Sequence, residues 1–210
     1  MLERLLNFGI EKKYFIIDLL DKVSDKTCKD NKIDLINFDK TKEKVVIESN
    51  QMNRKSCDGL YLNDNINFIE FKSFIKIKEK LSPKENIEVK ERKFINSIEV
   101  SLIDKIESSI WILDFIINHK LFIITKDEKS IYRKIEKNYY MVVDIDLNKH
   151  SIDTFLARLN GLSEIPSSLY DNLITNVKTI VNGIELNIKI NKPLLIDCKE
   201  LKERLTEQCS

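Results

Sequence analysis

Glycine is scarce in this 210-residue chain, and none of its four copies sits in a phosphate-cradling loop or a dinucleotide fingerprint, so P-loop and Rossmann chemistry are excluded. Histidine is scarcer still. With only His119 and His150, a histidine-rich metal site is excluded and a histidine-based triad has few candidates. His119 also falls at the end of a predicted helix, where a cation suits the dipole. The four cysteines, Cys28, Cys57, Cys198 and Cys209, lack paired spacing, which argues against both a disulfide framework and a zinc knuckle. No apolar run reaches the length of a membrane span, and Met1-Leu2-Glu3-Arg4-Leu5 lacks the organisation of a signal peptide. A soluble, cytoplasmic protein with no membrane partner is therefore expected. An excess of one charge is missing too: 35 basic and 34 acidic residues give a formal net charge of +1, with no global basic field for nucleic acid.

What is present is apolar periodicity. At 42% hydrophobic residues the chain can bury a substantial core, as one domain or one domain with a modest appendage. Residues 2–23 read as one helix, or two with a kink near Gly9, and 28–43 as polar and irregular. A first strand is expected at 44–48. Residues 96–119 form the clearest helix, with Ile98, Leu102, Ile106, Ile110, Leu113 and Ile117 as its apolar stripe and Asp104, Lys105 and Glu107 on the wet side. Strands are expected at 121–124 and 139–145. Beyond His150 the pattern predicts a helix at 151–161, another at 169–181, a strand at 184–190 and a terminal helix capped by Asp197. This suggests a core over residues 1–148 and an α+β extension over 149–210.

The chemistry concentrates in Cys57-Asp58-Gly59-Leu60-Tyr61-Leu62 and Ile66-Asn67-Phe68-Ile69-Glu70-Phe71-Lys72. These are two apolar strands around Asn63-Asp64-Asn65, residues that tolerate a tight turn. If those three residues form the loop, Leu62 pairs with Ile66, Leu60 with Phe68, and Asp58 falls opposite Glu70. Opposed residues share a face with Cβ atoms roughly 4.5–5.5 Å apart, and the strand period puts Lys72 on that face too. A loop one residue shorter or longer would turn Glu70 away. The third strand is expected to run on through 74–78 until Ser82-Pro83 breaks it. Facing carboxylates repel each other but suit a hard divalent cation.

Asp58, a turn, then Glu70-Phe71-Lys72 at the end of an apolar strand resembles the PD-(D/E)xK nuclease superfamily, the restriction-endonuclease-like fold, over roughly residues 45–120. Cys57 stands where that pattern has proline. The resemblance implies an α/β fold with a mixed central sheet of αβββαβ type, flanking helices and the C-terminal extension. It also implies a nuclease that hydrolyses phosphodiester bonds of nucleic acid, DNA first, in defence or mobile-element settings. Asp58 and Glu70 would bind Mg²⁺ or Mn²⁺ with the backbone carbonyl of Phe71, and Lys72 would stabilise charge at the attacked phosphorus. Glu48 and Glu11 are secondary candidates for a third acidic ligand. Lys76, Lys78, Lys80, Lys84, Arg92 and Lys93, which directly follow the site, are candidates for the phosphate backbone, against a reading as an edge-guarding polar face.

Two other readings stand beside these. Glu185 with Asp197-Cys198-Lys199 is a rival acid and lysine set, although Asp197 reads better as a helix cap. The competing function is a non-catalytic nuclease-like scaffold in a larger assembly, with the C-terminal portion as the surface for a second copy or a protein partner.

Overall fold

Strands that follow one another along the chain can pair through short loops, whereas parallel neighbours need a long crossover, and both patterns occur here. In the computed structural model, which describes residues 1–29, 32–51, 54–79, 87–148 and 169–206, β1 (Ile17–Leu19), β2 (Asp34–Asn37), β3 (Gly59–Leu62) and β4 (Ile66–Lys72) form an antiparallel meander. β5 (Lys137–Val143) and β6 (Leu194–Asp197) add to it in parallel. The protein is thus α/β, with one mixed six-strand open sheet in sequence order. Eight helices are described: α1 (Leu2–Glu11), α2 (Leu20–Val23), α3 (Phe38–Ser49), α4 (Phe74–Glu79), α5 (Ile87–Ile117), α6 (Lys126–Lys134), α7 (Leu169–Gly183) and α8 (Cys198–Thr206). None is long and apolar enough to cross a membrane.

The β3–β4 hairpin has the register expected from its sequence. Leu62 pairs with Ile66, Leu60 with Phe68 and Gly59 with Ile69. The Asn63 side chain closes the turn by accepting from the Asn65 amide at 2.9 Å and the Asn67 side chain at 3.0 Å. β4 is buried at every position but Lys72, so helices must cover both its faces. On one face Ile66 and Phe68 join the main core with Phe38, Ile106 and Tyr139. On the other, Ile69 and Phe71 meet a smaller cluster from α2, β5, β6 and α8.

Several local expectations are overturned. Residues 44–48 lie in α3. The Asn37 side chain accepts from the Lys40 amide, Phe38, Thr41 and Val45 are buried at helical spacing, and Ile47 is 80% exposed on the outer side. The strand lies earlier, at β2, inside the stretch expected to be irregular. Residues 12–23 contain β1 and the short α2 rather than continuous helix, and 74–78 form α4 instead of prolonging β4. Asp144, just past β5, accepts from the Phe74 and Ile75 amides at 2.8 and 3.3 Å and so caps α4. Residues 121–124 form no strand: Leu121 and Ile123 are exposed, while Phe122 packs on Phe8 with ring centroids 4.8 Å apart. Residues 184–190 are irregular, and Glu185 is exposed.

The helix expected at 151–161 lies outside the described residues. From the segment expected as an extension, β6 joins the central sheet beside β5 and α7 packs on the main core. Asp197 caps α8 as expected, accepting from the Lys199 and Glu200 amides at 2.9 Å each. The cysteine reading is corrected for one pair, because Cys28 and Cys198 form a disulfide across 170 residues of sequence, a pairing no local spacing can signal.

Gly9 produces no kink; it lets Phe15 against α1. An added Cβ would lie 2.1 Å from the Phe15 ring, far inside contact distance. Helix propensity would favour Gly9→Ala by about 1 kcal/mol, but the overpacking penalty of about 1–3 kcal/mol opposes it. The variant is expected to show a lower urea midpoint; an increase would mean that Phe15 moves aside at no cost.

Candidate active site

Asp58 stands where β3 begins and β4 continues alone. Its amide donates to the Ile69 carbonyl at 3.0 Å although Ile69 is already the partner of Gly59, so the pairing slips by one residue here, as in a β-bulge. Its side chain then replaces the missing backbone acceptor, Oδ2 taking the Phe71 amide at 2.6 Å. Asp58 is thereby not set directly opposite Glu70, but it stays close enough for the two charges to act on each other.

Glu70 is 1% exposed. Its Oε1 accepts from Lys72 Nζ at 2.7 Å and from Lys105 Nζ at 2.6 Å. Its Oε2 is buried and has no hydrogen-bond partner among the described residues, and the same is true of the Tyr139 hydroxyl. Phe68 and Glu70 pair with Tyr139 and Met141 on β5, so Tyr139 lies diagonal to Glu70 on the same face. The structure therefore places Lys72 on Glu70 with Asp58 nearby, but without the direct Asp58–Glu70 opposition expected from the sequence register.

Burial shapes the electrostatics. Asp58 is pushed up to about 7, first by desolvation and then by the Glu70 charge, while the Phe71 amide, Lys105 and Lys72 pull the other way. Burial lowers Lys105, but the charge and hydrogen bond of Glu70, with Asp58 behind them, leave it above its ordinary range. The buried Cys57 thiol is pushed up, mainly by desolvation, so it is no nucleophile at neutral pH.

A groove of about 390 Å³ opens beside Asp58, with Ser24, Asp25, Asp39, Ser73 and Lys76 among its lining residues. Asp39 is held there by Lys42 at 2.7 Å and Ser56 at 2.8 Å.

Lys105 was not singled out by the sequence, which placed it on the wet side of α5. It follows Leu102 by three positions and precedes Ile106, both buried, so it borders the apolar stripe. The nearby signal is the buried pair Ser108 and Ser109, small residues that let α5 approach the hairpin; the Ser109 hydroxyl accepts the Cys57 amide at 2.9 Å.

The remaining candidates lie apart from this cluster or outside the described residues. Glu48 on α3 accepts from the Tyr14 hydroxyl, and Glu11 at the end of α1 pairs with Lys12 at 2.6 Å. Among the described residues no group of three or more acidic, histidine or cysteine side chains could hold a metal. Lys76 lines the groove, with Nζ 2.6 Å from Asp25 Oδ2. Arg92 and Lys93 are exposed on α5. The side chains of Lys78, Lys80 and Lys84 lie outside the described residues.

The chain matches no family model, and no curated protein and no solved structure shows a significant likeness to it. Fold and site together define an α/β protein whose single mixed sheet carries a buried glutamate paired with two lysines and a half-buried aspartate beside it.

Proposed function

We propose that this protein is a metal-dependent phosphodiesterase acting on nucleic acid, DNA first, of the PD-(D/E)xK type. In this reading α1, the β2–β3–β4 meander, α5 and β5 correspond to the αβββαβ core, with α3 inserted between β2 and β3. The observation that carries it is a buried Glu70 with Oε2 unpartnered and Lys72 on its other oxygen, with Asp58 near enough at the same end of the hairpin to feel its charge.

That orphaned oxygen fits a divalent cation, which is commonly held by one or two carboxylates completed by water and substrate phosphate. Asp58, Glu70 and the Phe71 carbonyl would hold Mg²⁺ or Mn²⁺. The ion, when bound, supplies Lewis-acid polarisation of the phosphoryl oxygen and acidifies a coordinated water. Lys72 places positive charge beside the attacked phosphorus, and Lys105 fixes the orientation of Glu70.

The alternative, a nuclease-like scaffold without catalysis, draws on the same Glu70, whose burial and two lysine partners also suit a closed structural ion cluster. Calorimetric titration with Mg²⁺ and Mn²⁺, run with cleavage of mixed DNA and RNA on wild type and Glu70→Ala, separates the two. Saturable metal binding and metal-dependent cleavage, both lost in the variant, are expected. Folded wild-type protein that neither binds metal nor cuts would sink the enzyme reading in favour of the scaffold.

A further inference from the structure

At the other end of the β4–β5 pair lies a second concentration of charge. Lys137 pairs with Ile66 and Lys72 with Val143, so six residues separate the two ends, roughly 20 Å along the strands. A cavity of about 460 Å³ there is lined by Ile110 and Asp114 of α5, Tyr132 and Arg133 of α6, Lys137, and the segment Ile188–Lys189. We propose that this cavity binds a small organic anion, a phosphate or carboxylate group on an aromatic or branched apolar body, with Lys137 as its principal cationic contact.

Lys137 is the reason. A lysine ammonium carries three donors and is seldom buried unless paired with an acid. This residue is only 7% exposed, yet its Nζ reaches just the Tyr132 carbonyl at 3.2 Å and the face of the Tyr132 ring at 4.3 Å from the centroid. No carboxylate among the described residues forms an ion pair with it. Asp114, the one acid in the lining, instead takes the Tyr132 hydroxyl at 2.6 Å. Lys189 faces the same space, its Nζ on the Arg133 carbonyl at 3.0 Å, and Arg133 adds a guanidinium.

Three cations therefore oppose one acid around the cavity. Desolvation depresses the Lys137 pKa, with Asp114 opposing that effect and Lys189 adding to it, so an incoming anion would supply the direct ion pair that Asp114, engaged by the Tyr132 hydroxyl, does not make. The remaining walls, Ile110, Ile188 and the Tyr132 ring, are apolar, and the volume lies in the range of small-molecule sites. Charge sets the head of the ligand and the walls set its body.

The test is calorimetric titration of the full chain at low ionic strength with phenyl phosphate, phenylacetate and inorganic phosphate. One aryl anion is expected to bind saturably at one site, at least tenfold more tightly than inorganic phosphate, and the two aryl arms decide between phosphate and carboxylate heads. Lys137→Met is expected to weaken that binding more than tenfold. Arg133→Ala and Lys189→Ala, both at exposed positions, should each weaken it about threefold, and they keep the test open if the buried variant fails to fold. Absence of saturable binding by either aryl anion, equal affinity for inorganic phosphate, or unchanged affinity in the folded variants overturns the proposal.

Discussion

Replacing Glu70 with glutamine is expected to lower folding stability by about 3–5 kcal/mol at neutral pH, the usual cost of breaking a buried ion pair by removing one partner. Glu70 is 1% exposed and serves two ammonium groups through a single oxygen, so the variant leaves Lys72 and Lys105 facing each other with only Asp58 to balance them. Lys55 and Asp104 provide the contrast. They lie 3.1 Å apart with side chains 45% and 50% exposed, and truncating such a solvated pair should change stability by less than about 1 kcal/mol. Urea unfolding of both variants at one pH makes the comparison. Equal small losses would mean that water reaches Glu70 and that the cluster is not a low-dielectric site.

Asp58→Asn should act in the opposite direction, and only above a certain pH. The folded-state pKa of Asp58 is raised from an ordinary 3.8 to about 7, chiefly by burial and then by Glu70. Between these values the folded protein binds the extra proton, so the stability this group contributes is full below about pH 4 and is lost as pH rises through 7. Asparagine stays neutral and keeps an oxygen for the Phe71 amide. The variant is therefore expected to match wild type near pH 4 and to exceed it by about 2–4 kcal/mol at pH 8, given about 1.4 kcal/mol per pKa unit. Removing the Glu70 charge would lower the Asp58 pKa, so the gain should shrink in the double variant with Glu70→Gln. Denaturation curves from pH 4 to 8 supply the readout, and a gain independent of pH would show that Asp58 titrates normally. The same proton competes with any cation at the pair. Below pH 7 the apparent Mn²⁺ affinity should fall about tenfold per unit.

The candidate site was legible because its geometry is local. Asn63 to Asn65 set the loop, and the loop sets the register from Leu62–Ile66 to Gly59–Ile69, which brings Asp58 to the Glu70 end of the hairpin; the one-residue slip at Asp58 itself carries no signal in the strand pattern. Where pairing is not local, the sequence misled. Val45, Val46 and Ile47 have the β-branched character of a strand, but the Asn37 cap and the core contacts of Phe38 and Val45 hold them in α3. β1 and β2 are too short, at three and four residues, for an alternating pattern to register. Lys105 depended on how α5 crosses the hairpin, and the Cys28–Cys198 bond on a contact across most of the chain.

That bond has a consequence for how unevenly the molecule holds together. The face of the sheet opposite α5 is covered by α2, α8 and the chain around Cys28, with a smaller core than its counterpart. The same chain lines the groove beside Asp58 through Ser24, Asp25 and Thr27. Under reducing conditions this covering loses its one covalent tie, and it becomes the natural unit for sub-global opening, with amide exchange fastest there and slowest in β4 and β5. The floor of the groove belongs to the slow-exchanging sheet and one wall to the part that opens first, so access to Asp58 is set by the less persistent half of the fold.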